Sequence, residues 1–336
     1  MKKVISNKRC VISKKVSIIL LLTVILVIFS SCSSNKTDIV ETNIVKFGVI
    51  SDIHGDIINL NFFVNEFKKE NVDAILILGD TNTMFDNVGG NSDYEEMYIV
   101  FKTILADFKK PVFVIPGNHE PKEEYLTLKG NLEKEFPSQQ FLLFDDTQRV
   151  ITFKNVMLIS VSGYHLKEYM HPLGGFLFNE SFFDEIQTEM DVYEAVKEFD
   201  ENKENKIKDK LLIAHGPPKG KNKDSIDAVF SGENVGNELI NDFMVKNNIK
   251  FGAFGHIHEA GMKGVDENDK LVEENIRSDS LFLNPGSATK WKMNSYKNSD
   301  ENINIGKESK GSAGILEIEI GKDKEGKARY RIITAK

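Results

Sequence analysis

The chain has 336 residues, of which 43 are Lys or Arg and 51 are Asp or Glu, giving a formal charge of -8 at pH 7. An acidic surface repels polyanions, so this balance argues against general nucleic-acid binding. Two cysteines, Cys10 and Cys32, are too few for a disulfide framework or a thiolate metal cluster, and the length beyond the N-terminal segment suits one large α/β domain or two small ones.

Residues 1–31 carry Lys2, Lys3, Lys8, Arg9, Lys14 and Lys15 and no acid, then the uncharged run VSIILLLTVILVIF and the small residues that precede Cys32. That order of basic, apolar and small residues reads as a secretory signal, because a bilayer-spanning helix needs about 20 apolar residues. FSSCSS around Cys32 resembles the lipobox of bacterial lipoproteins, with Phe29 where Leu is usual. The resemblance implies cleavage before Cys32, lipid on its sulfur, and a domain tethered to a membrane outside the cytosol. An uncleaved anchor is the alternative. Residues 32–43 then form a polar tether, and 44–336 a single domain.

IVKFGVIS is short and β-rich, and Ile57, Leu60, Val64 and Phe67 recur after it at helical spacing, with Asp56 placed to cap. DAILILG, YEEMYIVFKTILADF and PVFVIPG repeat the strand and helix alternation, which predicts a sheet with parallel strands. FLLF, QRVITF and VMLISVSG read as successive strands. A helix is expected from Ser181, with Asp184 in capping-box register and Phe182, Ile186, Met190, Tyr193 and Val196 on one face. Beyond the charged patch 200–210 come LLIAHGPP, a helix near VGNELINDFMVKN, KFGAFGHIH and LFLNPGS. The polar region 290–314 reads as a long exposed loop, and GILEIEI and ARYRIIT as a closing hairpin.

The residues that terminate the apolar runs are chemically uniform. Asp52 and His54, then Asp80, then Asn118, His119 and Glu120, then His215, then His256 and His258 stand at five strand ends. Five of the seven histidines are there. In GHIH, alternation along an extended backbone points His256 and His258 the same way, so their imidazoles can converge on one ion. In open sheets with parallel strands, ligands bind at such carboxyl ends.

The ordered series SDIHGD, LGD, PGNHE, AHGPP and GHIH resembles the calcineurin-like metallophosphoesterase family over residues 51–258. The resemblance implies a four-layer α/β/β/α sandwich with mixed sheets and a centre of two divalent metal ions. It gives Asp52, His54, Asp80 and His258 to one metal and Asp80, Asn118, His215 and His256 to the other, with Asp80 bridging. Mixed oxygen and nitrogen donors suit Mn, Fe or Zn. The implied chemistry is attack on phosphorus by a metal-activated hydroxide, with His119 as general acid to the leaving oxygen. The expected partner is a small phosphate ester, a diester or nucleotide-like compound. A non-catalytic metal-binding surface lipoprotein on the same fold is the alternative.

Other residues carry lesser expectations. Asp56 reads as a helix cap rather than a ligand. Glu120 either bonds a ligand or begins a helix. His165 and His171 are loop candidates for substrate contact, and Asn284 to Ser287 form a turn that the resemblance places at the site wall. The sequence after Gly79-Asp80 is TNTMFDN, whereas relatives often place Asn or Asp and a nearby Arg there, which leaves the substrate contacts of that segment open. Trp291 has no reading from sequence.

Overall fold

The computed structural model describes residues 44–83, 92–136, 141–199, 209–297, 302–321 and 326–336. The expected leader, Cys32 and tether lie outside the described residues, as does most of the charged patch 200–210. No helix among the described residues is long and apolar enough to cross a membrane.

In chain order the elements are β1 (Ile44–Ile50), α1 (Ile57–Lys69), β2 (Ala74–Ile77), α2 (Asp93–Asp107), β3 (Val112–Val114), α3 (Lys122–Glu135) and β4 (Phe141–Leu143). Next come β5 (Val150–Phe153), β6 (Val156–Val161), α4 (Glu180–Phe199), β7 (Asp209–Ala214), α5 (Glu238–Lys246) and β8 (Phe251–Phe254). The last are β9 (Lys263–Val265), β10 (Leu271–Val272), β11 (Leu281–Asn284), β12 (Trp291–Lys297), β13 (Asn302–Ser309), β14 (Ser312–Glu319) and β15 (Lys327–Thr334).

One sheet has the order β15-β14-β1-β2-β3-β4, parallel from β1 to β4 and antiparallel at β14 and β15. The other runs β10-β9-β11-β8-β7-β6-β5, parallel from β6 to β11 and antiparallel at its edges. Both faces of the central strands are largely buried, so these strands are mostly apolar rather than alternating. Ile75 and Ile77 of β2 join the core under α1, α2 and α3, while Ala74, Leu76 and Leu78 face the second sheet. A third core lies between the second sheet and α4 and α5, with Phe183, Ile186, Ile240 and Phe243. Three cores between four layers make the expected α/β/β/α sandwich. Phe47, fully buried between the sheets, shows the cost of disturbing it, since truncating such a ring to Ala removes about 3 to 5 kcal/mol.

Caps follow the sequence where it is explicit. The Asp56 side chain accepts from the Asn59 N–H at 3.0 Å, as a cap and not as a ligand. Ser92 and Glu95 close a capping box on α2. The expected start of α4 at Ser181 is corrected to Glu180: Asn179 Oδ1 accepts from Ser181 Oγ at 2.7 Å and from the Phe182 N–H at 3.4 Å, and so serves as the cap.

In region 290–314, residues 291–297 and 302–309 are strands where a loop is expected. β12 and β13 pair as a two-stranded antiparallel ribbon, and β14 already begins at Ser312. The ribbon belongs to neither large sheet, and its polar sequence lacks the apolar alternation by which strands are recognised. Helix α3 is marked in the sequence only as an alternative at Glu120, because only Tyr125, Leu128 and Leu132 of its 14 residues are buried.

Candidate metal centre

The site lies where β1, β2, β3, β7 and β8 end. Asp52 and His54 follow β1, Asp80 follows β2, Asn118 and His119 follow β3, His215 follows β7, and His256 and His258 follow β8. Asp52, His54, Asp80 and His256 all adopt positive φ, at 53°, 44°, 53° and 65°. Single non-glycine residues enter this left-handed region at a cost of order 1 to 3 kcal/mol, and persist there when their surroundings over-determine them. Here the surroundings are backbone bonds between strand ends: Asp52 N–H to Gly79 O at 3.1 Å, His54 N–H to Asp80 O at 3.0 Å and Gly255 N–H to His215 O at 2.8 Å.

Two donor groups result. Asp52, His54 and His258 form one, and Asp80, His215 and His256 the other, each with ligand atoms within 4.8 Å of one another. In the first, His258 Nε2 is 3.1 Å and His54 Nε2 4.0 Å from Asp52 Oδ1. In the second, His215 Nε2 lies 3.1 Å from Asp80 Oδ2, 2.9 Å from Asn118 Oδ1 and 3.2 Å from His256 Nδ1. The groups adjoin, since the His256 N–H donates to Asp52 Oδ2 at 3.1 Å.

Donor chemistry fits divalent ions. His54 Nδ1 faces Asn82 O at 3.2 Å and His215 Nδ1 faces Leu78 O at 2.7 Å. A carbonyl only accepts, so both Nδ1 atoms carry hydrogen and both Nε2 atoms turn inward, the arrangement by which metal-bound histidines are oriented. His54 Nε2 is buried and has no hydrogen-bond partner. An orphaned imidazole nitrogen among carboxylates is what a cation would satisfy.

Burial opposes charge throughout the site. It lowers His54 and takes His256 down to about 3. At His215 burial is outweighed by Asp80, which raises the imidazole to about 10, and at His258 it is outweighed by Asp52. Burial likewise pushes Asp52 and Asp80 up, but His258 and His215 hold them below the usual carboxylate range. Asp80 and Asp52 thus draw positive charge onto His215 and His258, in the place a cation would occupy.

Surrounding residues fix this arrangement. Glu120 does not begin α3; that helix starts at Lys122, after Pro121. Its buried carboxylate accepts from the N–H groups of Asp80 at 3.1 Å, Thr81 at 2.5 Å and Gly117 at 2.6 Å, tying the ends of β2 and β3 together. Burial, with Asp80 nearby, raises its pKa. Asn82, in the segment that departs from the family pattern, donates to His119 O at 2.9 Å and to Asp93 Oδ1 at 2.8 Å. Ser287 Oγ donates to Asp52 O at 3.1 Å, so the 284–287 turn braces a ligand-bearing strand end. Asn118 Nδ2 donates to Tyr169 O at 2.7 Å, which leaves its Oδ1 facing His215.

His119 is buried with Nε2 3.7 Å from Asp80 Oδ2 and its ring edge-on to His54 at 5.3 Å. His165 packs beside Tyr164 and Phe178, and His171 Nε2 lies 3.4 Å from Asp93 Oδ2; neither belongs to a donor group. Sequence reasoning missed Tyr164, whose ring lies 4.2 Å from His256, and Trp291, 6.5 Å from His258. No spacing rule marks either, because both are brought in by segments remote from the motifs.

The family model of the calcineurin-like phosphoesterases matches residues 45–260. No curated protein matches the chain. Among solved structures, one overlays with a TM-score of 0.53 at 13% identity, covering 73% of this chain and 91% of its own. TT1561 of Thermus thermophilus overlays with a TM-score of 0.50 at 14% identity, covering 74% and 93%. A dimetal phosphatase from Danio rerio, LOC 393393, gives 0.45 at 12% identity, covering 87% and 99%. The first two show the fold. With the match over residues 45–260, the chain belongs to the calcineurin-like phosphoesterase family.

Proposed function

We propose that this chain is a metal-dependent hydrolase of phosphate esters, acting on a phosphodiester or nucleotide-like substrate from a membrane-anchored position outside the cytosol. The observation that carries the reading is the pair of adjoining donor groups with His54 Nε2 left unpartnered among them. Asp52, His54, His258 and Asp80 would hold one ion, and Asp80, Asn118, His215 and His256 the other. Oxygen and nitrogen donors without a thiolate favour Mn, Fe or Zn. Bound ions of this kind supply Lewis acidity toward phosphoryl oxygens and acidify water.

The chain's own residues complete the task. His119 holds at Nε2 the proton that the leaving oxygen takes, its ring positioned by contact with His54 and by proximity to Asp80. Glu120 and the 284–287 turn keep the carboxylates in place. Lipid on Cys32 attaches the domain to a bacterial membrane after removal of residues 1–31, and no general nucleic-acid binding accompanies the activity.

The test is hydrolysis of bis(p-nitrophenyl) phosphate by the purified chain, stripped by chelator and reloaded with Mn. Asp80→Ala should lose more than about a hundredfold in activity, beyond the range for a residue that only supports a ligand. His119→Ala should lose about 10²- to 10⁴-fold in kcat while retaining its metal by elemental analysis. Full activity in Asp80→Ala defeats the metal-centre reading, and full activity in His119→Ala defeats the proton-donor role alone.

A further inference from the structure

The β12–β13 ribbon walls a cleft of about 560 Å³ that opens beside the ligand His258 and is lined by Trp291, Met262, Ser287, Lys307 and Ser309. This size is typical of small-molecule sites. Trp291 is the chain's single tryptophan, and it belongs to none of the three apolar cores. Its ring lies 6.5 Å from that of His258 at 34° and 6.3 Å from that of Phe230 at 62°, and Lys307 Nζ sits 5.0 Å from the centre of the Phe230 ring.

Charge in the cleft is balanced, Lys307 and Lys310 against Glu259 and Glu308, so the walls give no strong field for a second phosphate. What they offer is a half-buried aromatic surface one ring beyond the metal donors. A substrate whose phosphorus lies at the donor groups therefore has a place here for a planar group joined to that phosphorus by a short spacer, as in a nucleoside ester.

We propose that Trp291, with Phe230 and Lys307, forms a stacking subsite for the nucleobase of a nucleoside phosphate ester, a proposal that rests on the hydrolase reading above. Aromatic faces accept any base, so the subsite selects for the presence of a base more than for its identity. Lys307, over the Phe230 ring, adds a cation at the edge of the platform.

The experiment uses the full chain loaded with Mn and two esters with the same leaving group, thymidine 5′-(p-nitrophenyl phosphate) and methyl p-nitrophenyl phosphate. In Trp291→Ala the ratio of kcat/KM for the thymidine ester over the methyl ester should fall about tenfold or more, mainly through KM, and Trp291→Phe should restore most of it. An unchanged ratio in an active Trp291→Ala variant overturns the subsite. Trp291 emission in the wild-type chain gives a second readout that requires no variant. Saturable quenching by thymidine 5′-monophosphate supports the subsite, and its absence overturns it. Quenching without hydrolysis of either ester keeps the subsite and removes the hydrolase.

Discussion

At the scale of single residues, the site is a set of charges that burial disfavours and proximity enforces. His215, raised to about 10, holds its proton at neutral pH in the metal-free protein, and Asp52 shifts His258 in the same direction, whereas metal ligation needs free imidazole lone pairs. Metal binding must therefore expel protons. The expected outcome is proton release on Mn titration at pH 7, read from the dependence of the calorimetric heat on buffer ionisation enthalpy, with affinity climbing as pH rises toward 10. The sign for folding is the reverse. A His raised from 6.5 to about 10 stabilises the metal-free fold fully below 6.5 and loses that contribution as pH rises through 10. A metal affinity that is flat with pH would contradict both statements. These ligands were legible in the sequence because clustered Asp, Asn and His side chains at strand ends advertise one chemistry. Glu120 was legible only as one of two alternatives, of which the hydrogen bond to a ligand residue holds, and Trp291 was not legible at all, since a ring beside a distant His acquires its role only when remote segments meet.

At the scale of elements, the ends of β2 and β3 are packed too closely for any side chain between them. A Cβ on Gly117 would stand 2.2 Å from Asp80 Oδ1 and 2.8 Å from Asp80 N, and Gly79, at φ +90°, presses against Gly117 from the other strand. Gly117→Ala should push Asp80 aside, costing about 1 to 3 kcal/mol of stability, as overpacking does. Mn affinity should fall about tenfold or more while the circular dichroism spectrum stays unchanged. Retained affinity would mean that Asp80 is not held by this contact. Elements with a buried face were readable from periodicity, as in β1, β2, α1 and α2. The β12–β13 ribbon was not, because its polar sequence carries no apolar rhythm.

At the scale of the whole molecule, the apolar runs made a sheet with parallel strands legible, while the four-layer architecture came only from the resemblance carried by the five ordered motifs. Which strand lies beside which is another matter. FLLF, QRVITF and VMLISVSG read as successive strands, yet β4 joins one sheet while β5 and β6 join the other. The proposed anchoring is tested by expressing the full chain in a bacterial host with radiolabelled fatty acid. The wild type should be labelled and shortened by the leader, and Cys32→Ser should be neither. A labelled Cys32→Ser chain would place the lipid elsewhere, and an unlabelled, full-length wild type would favour the uncleaved anchor.

The pairing of β1 with β14, from Ile44 opposite Glu319 to Val49 opposite Gly314, bears on the order of assembly. The strand that presents Asp52 and His54 keeps one flank bare until residues 314–319 have been made and have docked against it. Contacts so distant along the chain form late and slowly. A product clipped before β14 is therefore expected to carry every ligand side chain yet to lack one flank of the strand that aims Asp52 and His54, and to bind Mn more weakly than the full chain.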